Sequence, residues 1–213
     1  MNATPIALAF ATALALGYSA ANATIVITAG PGSAANTDNV IFNACSGNIT
    51  GPALMVQGCL NSSHTTLVDF TGTQNLVVNG GQARIEAQNG TFDFLQINFD
   101  PLATSAFTAL SFNIDAANTG TVGITADAIT GPDLTQSFTL GQAGQNFFHV
   151  DASGGTLLRS VSFTGVSVLS VAFNDVQQVR IGPNFPLPEP GALLLLATVL
   201  GAFGLTSKRK TLS

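Results

Sequence analysis

Thr91-Phe92-Asp93-Phe94-Leu95-Gln96-Ile97-Asn98-Phe99 decides the fold class. Phe92 and Phe94 alternate with polar neighbours, and Leu95, Ile97 and Phe99 continue the two-residue period on the opposite parity, which is the signature of an extended strand. The parity switch inside one run predicts either a bulge or a strand buried on both faces. Leu110, Phe112 and Ile114 repeat the period a short distance downstream.

Outward from this stretch the same grammar recurs. Candidate strands are Asn39–Phe42, Thr66–Phe70, Leu76–Val78, Ala83–Glu86, Thr121–Thr125, Gln136–Leu140, Asn146–Val150, Leu157–Phe163, Val168–Phe173 and Val176–Ile181. Turn chemistry separates them at Asn79-Gly80-Gly81, Asn89-Gly90, Asn118-Thr119-Gly120, Gly131-Pro132-Asp133 and Ser153-Gly154-Gly155. No stretch shows a sustained helical period with caps. The expectation is an all-β, antiparallel β-sandwich of jelly-roll type spanning residues 24–182. The alternative is a β-helix, which calls for a fixed repeat, and no such period is found.

Composition narrows the partners. From Thr24 to Pro186 the chain carries Arg84, Arg159 and Arg180, no Lys, and nine Asp with Glu86. An acidic body of this kind excludes nucleic acid as a partner and suits neutral glycans or Ca²⁺. Cys45 and Cys59 are the only cysteines. In an exported chain they read as a disulfide, worth about 3 kcal/mol in the chain-entropy model. The loop Ser46–Gly58 between them reads as rigid, exposed and suited to recognition. Zinc is disfavoured because His64 beside two cysteines still lacks a fourth ligand.

Catalysis finds little support. His64 and His149 are the only histidines, and alternation in Phe147-Phe148-His149-Val150 places Phe147 and His149 on one face, as a structural histidine. No Gly-x-Ser-x-Gly elbow is present, and a single Glu among Asp residues assigned mostly to turns does not supply a glycosidase pair. Asp115, Asp127 and Asp133 are the weak candidates for Ca²⁺ on connecting loops, without a ligand run of EF-hand type. No other cofactor is expected, and catalytic residues are expected to be none.

The two ends of the chain carry an address. Ile6–Leu16 is an apolar core too short to span a membrane comfortably, and it leads to Ala21-Asn22-Ala23, a small-x-small site for signal peptidase. Residues 1–23 therefore read as a signal peptide cleaved after Ala23, although its n-region has no Lys or Arg. At the other end, residues 183–190 form a Pro-rich linker and residues 191–213 a single transmembrane segment with a basic tail. The apolar part reaches about 24 Å against a hydrocarbon core of about 30 Å, a marginal span. Lys208, Arg209 and Lys210 fall on the cytoplasmic side by the positive-inside rule, in agreement with an exported body.

Pro188-Glu189-Pro190, the apolar stretch and the basic cluster, in that order, resemble the PEP-CTERM sorting signal, a tail also catalogued as an ice-binding protein C-terminal domain. The resemblance covers roughly the last twenty-five residues and implies no ice binding. It implies an exported bacterial protein, a species that makes exopolysaccharide, and processing by a membrane-embedded exosortase. Gly144–Gly182 is more loosely similar to the last strands of β-sandwich bodies in that family. Ordinary sortase chemistry is disfavoured, since Pro190 stands where Thr is needed and lacks an N–H. A plain unprocessed tail anchor leaves Pro188-Glu189-Pro190 without a purpose. The resulting expectation is a non-enzymatic protein of the cell envelope or extracellular matrix, with a structural or adhesive role in exopolysaccharide or biofilm. A carbohydrate-binding module and a secreted hydrolase are the alternatives.

Overall fold

The computed structural model describes residues 23–32, 34–80, 84–100, 105–142, 145–166 and 171–186. Among these the chain is all strand and turn, with no helix. The first half contributes β1 (Thr24–Ala29), β2 (Asp38–Ile41), β3 (Ala53–Leu60), β4 (Ser63–Asn79), β5 (Arg84–Ala87), β6 (Phe94–Phe99) and β7 (Ser105–Ala106). The second contributes β8 (Ala109–Ala116), β9 (Gly120–Ala128), β10 (Leu134–Leu140), β11 (Asn146–Ser153), β12 (Leu158–Val166), β13 (Phe173–Gly182) and β14 (Phe185–Pro186).

Twelve strands form one sheet in the order β1-β11-β8-β13-β2-β3-β4-β6-β12-β9-β10, with β5 bonded to both β13 and β4. Every ladder between these strands is antiparallel, which excludes the stacked parallel coils of a β-helix. The sheet turns back on itself at two corners. Short β2 pairs through Asp38 and Asn39 with β13 and through Val40 and Ile41 with β3. Long β4 pairs through Val68–Thr71 with β3 and β6, then through Leu76–Asn79 with β5.

Apolar residues at alternate positions pack together across strands that are not sheet neighbours. Phe112 of β8 lies over Phe163 of β12 with ring centroids 5.0 Å apart and planes 15° from parallel. Phe163 also meets Phe173 edge-on at 5.5 Å, and Phe138 meets Phe148 at 5.2 Å. Phe70, Leu95, Ile97, Leu110, Ile114 and Val176 close the same core and are fully buried.

β1 and β3 lie outside the strands expected from the sequence pattern. Thr66–Phe70 and Leu76–Val78 belong to one strand, β4, whose register against β3 shifts between Thr71 and Leu76. In the deciding stretch the parity switch is a break: Asp93 sits in a bend, Phe92 bridges Phe173, and β6 starts at Phe94. Val171 and Ala172 lie outside any strand, and β13 runs unbroken from Phe173. Of the predicted turns, Asn79-Gly80 and Gly131-Pro132-Asp133 join hairpins. Asn118-Thr119-Gly120 and Ser153-Gly154-Gly155 instead carry the chain between non-adjacent strands. β14 pairs with β7 inside the stretch read as linker.

Candidate functional site

β8 is buried on both faces although only one of them is apolar. Leu110, Phe112, Ile114 and Ala116 enter the core, and Ser111, Asn113 and Asp115 point the other way. The ladders extend that outward row sideways. Ser111 lies between His149 of β11 and Arg180 of β13, and Asn113 lies between Phe147 and Gln177. Asp115 stands opposite Asp175, which stands opposite Glu86 of β5.

The row is polar, buried and largely unpaired. Ser111, Asn113 and Asp175 are 3%, 0% and 4% exposed. Ser111 Oγ, Asn113 Nδ2 and Oδ1, Asp115 Oδ1, His149 Nδ1 and Asp175 Oδ1 have no hydrogen-bond partner within the protein. Among the described residues, Thr156 Oγ1 is the one further buried side-chain atom in that condition. An unsatisfied buried polar group costs about 1–3 kcal/mol, so a concentration of them on one face calls for water or a ligand.

A bulge in β13 aligns this row. Gln177 faces Asn113 and Arg180 faces Ser111, so three steps on β13 match two on β8, and the register shifts between them. Gln178, inside the bulge, has φ of 57°, in the left-handed region that non-glycine residues rarely enter. Val176 and Val179 stay in the core while Gln177 and Gln178 remain outside it. Bulges recur where a sheet re-aims side chains toward a site.

Charge at the end of the row is uneven. Arg84 Nε lies 3.5 Å from Asp175 Oδ2, and Arg84 Nη1 lies 3.4 Å from Glu86 Oε1. Burial raises the Asp175 carboxyl above its ordinary value of 3.8; Arg84 pulls it back, and Asp115 and Glu86 push it further up. Beside these groups a cavity of about 410 Å³ is lined by Asn79, Gly80, Arg84 and Gln177.

A second buried acid, on β4, is hydrogen-bonded. Asp69, 5% exposed, accepts a 2.9 Å hydrogen bond from Gln57 Nε2. Gln57 Oε1 accepts from Ile49 N at 3.3 Å, and Asn48 Nδ2 donates to the carbonyls of Gln57 and Phe42. Burial raises Asp69 above 3.8, Gln57 lowers it and Asp100 raises it. This network ties the segment following β2 to β3 and β4.

Neither a protein-family model, nor a curated protein, nor a solved structure matches the chain. Its own geometry therefore carries the functional reading.

The predicted disulfide is present, with Cys45 and Cys59 Cα atoms 5.5 Å apart. The intervening segment is not an exposed recognition loop. Ser46, Gly47, Ile49 and Thr50 are exposed, but Ala53 onward is β3, and Val56, Gln57, Gly58 and Cys59 are buried. His64 is exposed, and its carbonyl accepts from Ser46 N at 2.9 Å. His149 is half satisfied: Nε2 bonds Gly30 O at 2.8 Å and Nδ1 has no partner.

The three Asp residues considered for Ca²⁺ do not converge. Asp127 accepts from Arg159 at 2.9 Å, Asp133 accepts from Ala128 N at 2.9 Å in the β9–β10 turn, and Asp115 lies in the outward row of β8. Among the described residues no three His, Cys, Asp or Glu side chains are arranged to hold a metal. Ala23 is exposed just before β1. Ala21, Pro188, Glu189, Pro190, Lys208, Arg209, Lys210 and the apolar segment between them lie outside the described residues.

The outward row is hidden in the sequence because Ser111 and Asn113 are only the polar half of an alternating strand, and Asp115, expected on a connecting loop, stands within β8. Their partners Glu86 and Asp175 are distant in sequence, and only the β8–β13–β5 pairing brings them together. The polar half of the Leu110–Asp115 alternation was the available signal.

Proposed function

We propose that this chain is a non-enzymatic, exported β-sandwich protein of jelly-roll type, delivered to the bacterial envelope by its signal peptide and PEP-CTERM tail. There it serves as a structural or adhesive component of the exopolysaccharide matrix. The observation that carries this reading is the Cys45–Cys59 disulfide, which uses both cysteines of the chain. Such bonds persist in oxidising compartments outside the cytoplasm. A broad antiparallel sheet with a Lys-free acidic body suits a protein that must stay soluble among polysaccharides.

Fractionation tests the reading. The protein is expected at the cell surface and in the matrix of an exosortase-positive host, and as a membrane-retained precursor when the exosortase gene is deleted. Equal distribution in the two strains would remove the sorting role of Pro188-Glu189-Pro190. A second reading, carbohydrate binding, is favoured by one observation: the unpartnered polar row on β8 beside the cavity at Arg84 and Gln177.

A further inference from the structure

We infer that the cavity lined by Asn79, Gly80, Arg84 and Gln177 binds a neutral saccharide unit, held by the side chains of Arg84, Gln177 and Asn79. The inference rests on the carbohydrate-binding reading and supplies its site. At about 410 Å³ the cavity falls within the range of small-molecule sites, about 300–1,000 Å³. Its wall combines a guanidinium and two carboxamides, planar groups suited to the hydroxyls of a sugar ring; Asn79 Nδ2 already donates to Glu86 Oε2, which leaves its Oδ1 and the Gln177 amide to meet them.

The polar row adjoins the wall through the same residues. Gln177 is the cross-strand neighbour of Asn113, and Arg84 contacts Asp175, the cross-strand neighbour of Asp115. Asn113 is completely buried with both amide atoms unpartnered, and Asp115 and Asp175 each keep one buried oxygen unpartnered. The row thus leaves both donors and acceptors open, and hydroxyl groups, which donate and accept, complement it through bridging water.

Charge selects among saccharides. Glu86, Asp115 and Asp175 outnumber Arg84, which is already engaged by two of them. A uronate or phosphate would meet net negative charge, and a neutral sugar would not. The bulge at Gln177–Arg180 holds Gln177 at the cavity wall, and the left-handed Gln178 is the local conformational cost of that placement.

The test is calorimetric titration of the purified full-length chain in a detergent without sugar headgroups. The probes are glucose, galactose, mannose and N-acetylglucosamine, with glucuronate and inorganic phosphate for comparison. At least one neutral sugar should bind saturably with Kd below about 10 mM, and Gln177→Ala should weaken it by about 5-fold or more. Ser137→Ala, on exposed β10, should leave binding unchanged. If Gln177→Ala does not fold, Asn79→Ala at the exposed turn takes its place. Three results would overturn the inference: no saturable binding by any of the four sugars, binding indifferent to the cavity variants, or tighter binding of glucuronate or phosphate. None of these depends on export, so the sorting reading stands or falls separately by fractionation.

Discussion

Removing the disulfide should cost this fold more than its position near the surface suggests. β2 has four residues, and its ladder contacts are two register pairs with β13 and two with β3. Cys45, just beyond β2, is tied to Cys59, which is fully buried in β3 opposite Ile41. The bond thus secures the point at which short β2 links β13 to β3. For a sequence separation of 14, restriction of the unfolded chain is worth about 3 kcal/mol. In a domain of this size each kcal/mol shifts the melting temperature by about 2–4 °C, so the expected loss is about 6–12 °C. The perturbation is the Cys45→Ala/Cys59→Ala double variant, compared with the wild type before and after reduction, by scanning calorimetry. Reduction should lower the wild-type transition by a similar amount and leave the double variant unmoved. A wild-type transition indifferent to reductant, with a double variant melting at the same temperature, would refute the reasoning.

Other perturbations address the core, the corner and the buried acid. Phe163→Ala removes a buried ring in contact with Phe112 and Phe173 and should cost about 3–5 kcal/mol in urea unfolding, whereas Phe163→Leu should cost clearly less. Gly58→Ala would set a Cβ 2.5 Å from Val40 Cγ1 and 2.9 Å from Ile41 O, forcing β2 and β3 apart, and should cost about 1–3 kcal/mol by the same assay. Asp69 has its folded-state carboxyl raised above 3.8, so the native state holds the proton more tightly than the unfolded state. Its contribution to stability is greatest below that ordinary value and is lost as pH rises through the raised one. Asp69→Asn keeps an acceptor for Gln57 and should gain stability relative to wild type on going from pH 4 to pH 7, read from urea midpoints; a constant difference between the two proteins would contradict this.

Fold class was legible because core side chains recur every second residue in β6, β8 and β9, and because Asn79-Gly80 and Gly131-Pro132-Asp133 are strong turn formers. β3 escaped because Val56–Leu60 is buried at five successive positions, which erases alternation, and because Gly51-Pro52 and the two cysteines suggested a loop. β1 escaped for the opposite reason: it is an edge strand with Ile27 alone fully buried, and it adjoins the proposed cleavage site. The polar row on β8 was visible as residues but not as a place. Its burial, and the opposition of Asp115 to Asp175, arise from long-range pairing that local pattern does not encode.

Intact-mass analysis of the protein recovered from the extracellular matrix tests the proposed export and tail removal together. The expected product is a chain beginning at Thr24, lacking the apolar segment and Lys208, Arg209 and Lys210, and retaining the Cys45–Cys59 bond. Extracellular protein that still carries Lys208–Ser213 would contradict it.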